Sequence, residues 1–317
     1  MSFVRTVLGD IKPEEMGLTF SHEHIIIEDS FITVSNKNFL LNDVNLISEE
    51  LMEFTSLGGK TLVDTMPANC GRNVLKMAEV ATRANVNIIV PTGLHLEIYY
   101  PPNHWRYHLT EDELTDLFIK DITDGIDEND YGCPLVKRTQ HKAGLIKLAT
   151  GDEPFTPHQE KIFHAVVNAQ VATGAPILTH TNNGLHAIEQ ALFFEKLGAD
   201  LNHVVLSHAD KNKDIFYHKD LMQTGVSVEY DSHFRWKENE FNNTYFLLEK
   251  LLPEFHDQIV AGMDMAKNTY WKSYGGKPGL SYLLTVFQER MKALHLDGFM
   301  KKIFYDNPQR IFSFKEK

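Results

Sequence analysis

The chain reads as an α/β protein, and three observations carry that class. Short apolar, β-branched runs recur along its 317 residues, each followed by a longer segment of helical period. Eight such runs at this length fit a closed (β/α)8 barrel. The competing doubly wound sheet calls for a glycine-rich phosphate loop after the first strand, and "SHEHIIIED" offers none. The expectation is one TIM-barrel domain over residues 1–317, since no low-complexity tract or Pro/Gly-rich linker divides the chain.

In order, the strand-like runs are "LTFSHEH" (18–24), "KTLVDTM" (60–66), "VNIIVPTG" (86–93) and "AGLIKLAT" (143–150), followed by "APILTHT" (175–181), "HVVLSHA" (203–209), "GVSVEYDS" (225–232) and "QIVAGMDM" (258–265). Between them, segments such as "NVLKMAEVATRANV" and "EKIFHAVVNAQVATG" place apolar residues at helical spacing. Several end in Gly or Asn, which accept a left-handed C-cap. The longest gap, about 101–142, holds an amphipathic helix around "TEDELTDLFIKDITDGI" and then a polar loop, "DENDYGCPLVKRTQHK". That loop precedes a strand, so it is expected on the face away from chemistry, with a role in stability or assembly.

Composition narrows the function. Forty-three per cent hydrophobic and 23% charged residues are ordinary for a globular domain, and no run approaches the ~18 apolar residues of a membrane span. The N-terminus turns charged before a signal-peptide core could form. Cys70 and Cys133 are the two cysteines, which speaks against a disulfide scaffold or a cysteine-rich zinc site and predicts a cytoplasmic setting. A net charge of −12 repels phosphate backbones, so nucleic acid is excluded as a partner and a small molecule is expected.

The strand ends carry the chemistry. His22 and His24 are two apart, so on a strand they face the same way, whereas on a helix they would diverge by ~200°. Run four ends with Lys147, run five with His180, run six with His208 and run eight with Asp264. Active sites of such barrels form at the C-terminal ends of the strands, where these residues converge. Taken singly, a histidine near a strand end is more often structural than ligating, and Asp264 could simply cap a helix. Coincidence of all five sites with the barrel phase outweighs those readings. For the other histidines, among them His104, His203 and His218, a structural role stands.

Four histidines and an aspartate exceed the usual three protein ligands of one catalytic zinc, so two ions fit better than one. Two cations ~3.5–4 Å apart need anionic bridges, and a lysine ammonium between them would be repelled. Lys147 is consistent with such a site as a carbamate formed with carbon dioxide, which makes the side chain a bridging carboxylate.

The order His-x-His, strand-four Lys, strand-five His, strand-six His and strand-eight Asp resembles the phosphotriesterase family of the amidohydrolase superfamily. The flanks agree: "GLTFSHEH", "AGLIKLAT", "PILTHT", "VVLSHAD", "GMDM" and the closing "NPQRIF" (307–312). The resemblance implies that His22, His24 and Asp264 hold a more buried ion and that His180 and His208 hold a more exposed one. Carboxylated Lys147 and a hydroxide would lie between them, with Asp264 taking the proton as the hydroxide attacks. Zinc is the expected metal, manganese or cobalt the alternatives. A homodimer is also implied.

Family members open lactones or, more rarely, hydrolyse phosphotriesters. Relatives acting on acyl-homoserine lactones often carry a tyrosine just past the third strand, where "TGLHLEIYY" has His95, with Tyr99 and Tyr100 further on. They also often carry an arginine directly after the seventh-strand Asp, where Ser232 stands here and Arg235 follows three later. Cations recur instead on three loops at the catalytic face: Lys211 and Lys213, Arg235 and Lys237, Lys267 and Lys272. Single members of this set would ordinarily be solvated surface charges; as a group they invite an anionic substrate. The expected substrate is a small, phosphorylated aldonolactone bound by His95, Tyr99, Lys211, Lys213, Arg235 and Lys267. Phosphotriesters, acyl-homoserine lactones and a TatD-like phosphodiesterase reaction are the alternatives.

Overall fold

The computed structural model describes residues 2–153, 155–236 and 241–315. Each of the eight runs forms a strand: β1 (Leu18–Glu23), β2 (Gly59–Asp64), β3 (Asn87–Ile89, resuming as Pro91–Gly93), β4 (Leu145–Thr150), β5 (Ile177–Thr181), β6 (Val204–Ser207), β7 (Ser227–Tyr230) and β8 (Ile259–Ala261). Every consecutive pair is parallel from β1 to β8, with β3 pairing to β2 by its first half and to β4 by its second. Both faces of these strands are buried, which is why they read as near-continuous apolar runs rather than as alternating ones. The ring closes where β8 meets β1. There the backbone N–H groups of Met263 and Asp264 both donate to the His22 carbonyl, at 3.2 and 2.9 Å.

Among the described residues, eight α-helices of eight residues or more wrap the ring: α1 (Val44–Ser56), α2 (Val74–Ala84), α3 (Glu111–Thr123), α4 (Pro157–Thr173), α5 (Ala187–Leu197), α6 (Ile215–Gln223), α7 (Asn243–Phe255) and α8 (Val286–Ala293). Their starts are written in the sequence. Thr110 caps α3 and Thr156 caps α4, each in a reciprocal box with the residue three places on. Inside the ring, Val63, Ile89, Leu145, Leu178, Val205 and Val260 pack into an apolar floor, closed from below by Val4, Met16, Ile311 and Phe312. The polar residues of the strands therefore collect at the other end, above this floor.

Two details depart from simple alternation. On an unbroken β1, Phe20 and His22 would share a face. Instead Phe20 packs outward on Phe54 of α1, with ring centroids 4.9 Å apart, while His22 reaches inward to Glu229. A register shift between Phe20 and Glu23 makes the difference: the bulge re-aims both histidines into the barrel.

The polar loop after α3 is the second departure. Its far end stays low, where the His141 imidazole meets the Val7 carbonyl at 2.7 Å. Its middle climbs back toward the loop that follows β2. Asp130 accepts from the Asn69 backbone N–H at 2.7 Å and from Arg72 Nε at 2.8 Å. The expectation that this loop keeps to the far face is corrected. Arg72 is fully buried, and a guanidinium there needs carboxylates, which Asp121 and Asp130 supply.

Gly93 ends β3 with φ of 99°, and a Cβ there would collide with the Lys147 carbonyl of β4. Gly93→Ala combines a disfavoured backbone with a clash against main chain that cannot move. It is expected to cost more than about 3 kcal/mol, read as a lowered urea midpoint at unchanged slope.

Candidate metal centre

The bulge and the seam together bring His22, His24 and Asp264 to one place. His24 Nε2 lies 3.1 Å and His22 Nε2 3.8 Å from Asp264 Oδ1. Asp264 follows β8 in a left-handed turn (φ 49°), a conformation that Asp tolerates better than most residues. Arg235 holds the turn from outside. One terminal nitrogen donates to the Asp264 carbonyl at 2.5 Å and to its Oδ2 at 2.8 Å.

The other half of the site comes from β4, β5 and β6. Lys147 is wholly buried, and the His180 and His208 rings stand 4.5 Å apart at their centroids. His208 sits one residue past β6, also left-handed (φ 63°), with its backbone N–H given to Asp231 at 3.1 Å. Its ring lies 4.9 Å from that of His22, which joins the two halves.

The donor set suits divalent cations. Two imidazole nitrogens here are buried without a hydrogen-bond partner, His24 Nδ1 and His180 Nε2, and a third, His208 Nδ1, meets only the Asp231 carboxylate, at 2.7 Å. Such atoms are rare unless an ion or another group completes them. Burial, reinforced by neighbouring cations, holds His22, His180 and His208 well below the usual histidine range, so they are neutral, as metal ligation demands. Burial also opposes ionisation of Asp264. Arg235, then the nearby histidines, overcome it and hold the carboxyl well below its ordinary value. For Lys147, burial pushes the amine down to about 8 against the pull of Glu229, Asp264 and Asp231. Two groups of side chains have ligand atoms within 4.8 Å of one another: His22, His24 and Asp264, and His22, His208 and Asp231.

Sequence reasoning passed over four residues that shape this centre. Asp231 Oδ2 stands 2.7 Å from His208 Nδ1, and Glu229 Oε2 accepts from His22 Nδ1 at 2.8 Å. The signal was present: "SVEYD" carries two carboxylates two residues apart, in phase with the inward face of a buried strand. Thr65 Oγ1 lies 3.2 Å from His24 Nε2. Glu23 points away from the ligands, as the alternation implies, yet it accepts from the Met263 N–H at 2.9 Å and so braces the Asp264 turn.

The six residues expected to meet substrate divide. His95 is buried beside His180, ring centroids 5.3 Å apart, and Tyr99 stacks on it at 3.9 Å. Lys211 is close enough to lower both His180 and His208 electrostatically. Arg235 faces a cavity of about 890 Å³, lined also by His233, Trp236, Tyr270 and Arg290, but one of its nitrogens is committed to Asp264. Lys267 leans over Phe39 at 5.5 Å, and exposed Lys213 leans over Trp236 at 5.5 Å. Lys272 is drawn elsewhere, paired with Glu53 at 2.9 Å, and Lys237 lies outside the described residues.

Comparison with known proteins agrees with this fold. A family model described as the phosphotriesterase family matches residues 2–312. A phospho-furanose lactonase of Mycoplasmopsis synoviae (strain 53) is 33% identical over 333 residues, covering 99% of this chain and 93% of the relative. Among solved structures, an amidohydrolase from Mycoplasma synoviae superposes with a TM-score of 0.96 at 31% identity, over 100% of this chain and 93% of that one. A lactonase from Listeria monocytogenes gives 0.90 at 31% identity, over 99% and 100% of the two chains.

A site of neutral imidazoles with unpaired nitrogens on His24 and His180 is expected to be stabilised by divalent ions. Adding zinc at about 100 times its dissociation constant to chelator-stripped protein should contribute about 2.7 kcal/mol, seen as a concentration-dependent rise in Tm. His24→Ala and Asp264→Ala should blunt that rise.

Proposed function

The chain belongs to the phosphotriesterase family, and from that premise we propose that it is a metal-dependent lactonase opening a small, phosphorylated sugar lactone. One observation carries the reading: His22, His24, His180, His208, Lys147 and Asp264 converge at the open end of the barrel, with imidazole nitrogens of His24 and His180 left unpaired. The substrate class is supported by a relative described as a phospho-furanose lactonase whose match covers nearly the whole chain.

In this reading His22, His24 and Asp264 would hold one divalent ion and His180 and His208 a second, with carboxylated Lys147 as a further ligand. Zinc is the preferred metal, with manganese and cobalt as alternatives. When bound, such ions polarise the lactone carbonyl and acidify water. The chain's own groups do the rest. A buried lysine with its amine lowered to about 8 has a neutral fraction that can add carbon dioxide. Asp264, kept ionised by Arg235, accepts a proton at its carboxylate as the nucleophile adds, and returns it to the ring oxygen that leaves. His95 and Tyr99, stacked beside His180, form one wall for the sugar ring.

The phosphate is met by cations on the loops after β6, β7 and β8. Lys211 and Lys267 would serve it as point charges. Arg235 serves two ends, with one nitrogen on Asp264 and its Nε buried and unpaired. The acidic remainder of the surface, net −12 for the whole chain, makes a cationic mouth selective for where an anion docks.

A panel of sugar lactones with and without a terminal phosphate tests the proposal. The phosphorylated members should be favoured by about 10- to 100-fold in kcat/KM, the worth of one or two charge-assisted contacts. Equal rates on both, or activity confined to long acyl lactones, would sink the substrate assignment. Reactivation of stripped enzyme by zinc should require bicarbonate, and Lys147→Ala should reduce turnover to background. Arg235→Met separates that residue's two duties: a fall in kcat on every lactone marks its hold on Asp264, and a rise in KM on phosphorylated ones alone marks phosphate binding.

A further inference from the structure

Glu229 is an anomaly in the interior of the barrel. It lies in β7 with no solvent exposure, at a level where the neighbouring strands turn from the apolar floor to the metal centre. A carboxyl group without solvent contact costs free energy unless buried partners meet it. Yet the surrounding chain makes room for it. Gly262 of the neighbouring strand lacks a side chain at just this point, where a Cβ would come within 2.9 Å of Glu229 Oε1 and 2.6 Å of the His22 backbone nitrogen. Oε2 accepts the His22 Nδ1–H at 2.8 Å, while Oε1 has no hydrogen-bond partner.

That bond has a definite chemical effect. An imidazole that donates through Nδ1 must present its lone pair at Nε2, and His22 Nε2 is the atom that faces Asp264. The other imidazoles of the centre are held differently. His208 Nδ1 faces the Asp231 carboxylate at 2.7 Å in the other half of the centre, His24 touches the neutral hydroxyl of Thr65, and His180 Nε2 has no hydrogen-bond partner. We propose that Glu229 is the positioning residue of the buried ion: it fixes the tautomer and aim of His22, and its carboxylate tightens the ion that His22 holds. The inference rests on the metal-dependent reading above.

Stepwise removal of metal from the zinc- or cobalt-loaded enzyme, by chelators of graded strength with the released ion counted, tests this. The unmodified protein should release two ions in two classes. Glu229→Ala should weaken one class by about 10- to 100-fold while the other stays within about threefold. Glu229→Gln, which keeps an acceptor for Nδ1–H but loses the charge, should fall between Ala and the parent and shift the absorption of bound cobalt. It also covers the case in which the alanine variant fails to fold. Glu50→Gln is the control: this buried carboxylate accepts from Ser273 and Leu280 N–H groups at 2.8 and 2.9 Å, so its loss should lower Tm without changing either class. Parent-like affinity in both Glu229 variants overturns the inference, as does equal loosening of both ions, which would mean a slackened barrel. A parent that hydrolyses lactones with two ions while its Glu229 variants keep them defeats this inference alone. A parent that takes up no divalent ion defeats the functional reading as well.

Discussion

The carbonyl oxygen of His22 accepts two backbone hydrogen bonds, from Met263 and Asp264, and on this pair the barrel closes. It sets the register of the first strand against the last, and so the distance between the histidines of one and the aspartate of the other. Three further features serve the same joint. Gly262 removes the side chain that would hold the strands apart, Glu23 shares the Met263 N–H, and Arg235 ties both ends of Asp264 from the loop after β7. Because ladder bonds are directional and main chain cannot slide by fractions of a residue, the centre inherits its geometry from strand pairing rather than from flexible side chains.

Above the apolar floor the interior reverses character. Lys147, Glu229, Asp231 and Glu23 are fully buried, a density of charge that hydrophobic residues of equal volume would replace without loss of fold. Their cost is met by mutual arrangement: carboxylates sit behind His22 and His208, and a lysine lies among acids. The left-handed His208 and Asp264 add local backbone strain at the same level. Stability is thus concentrated in the floor and the helical shell, while the upper barrel is organised for chemistry.

Much of this was legible in residue order. Period and spacing located all eight strands, and the helix caps at Thr110 and Thr156 follow from boxes visible in the sequence. His22, His24, Lys147, His180, His208 and Asp264 could be placed at one end of the barrel because each lies at or near the C-terminal end of its strand-like run. What could not be read was anything set by a partner distant in sequence. The bulge that turns His22 inward depends on how Phe20 finds Phe54. The climb of the loop through Asp130 depends on Arg72, 58 residues earlier. Arg235 read as a free cation because its tie to Asp264 spans 29 residues. Glu229 and Asp231 were the readable omission, two acids in phase on a buried strand.

The Asp130 clasp on Asn69 and Arg72 makes the rim of the barrel lopsided. On the flank of β2 to β4, a returning loop is stitched to the rim by a buried guanidinium and its two carboxylates. On the opposite flank, between the loops after β7 and β8, lies the broad cavity beside Arg235. Such a rim works like a hinged collar, with one side riveted and the other able to be recut. Changes of loop length beyond Arg235 on that side would leave both the Arg72 clasp and the Arg235 hold on Asp264 untouched.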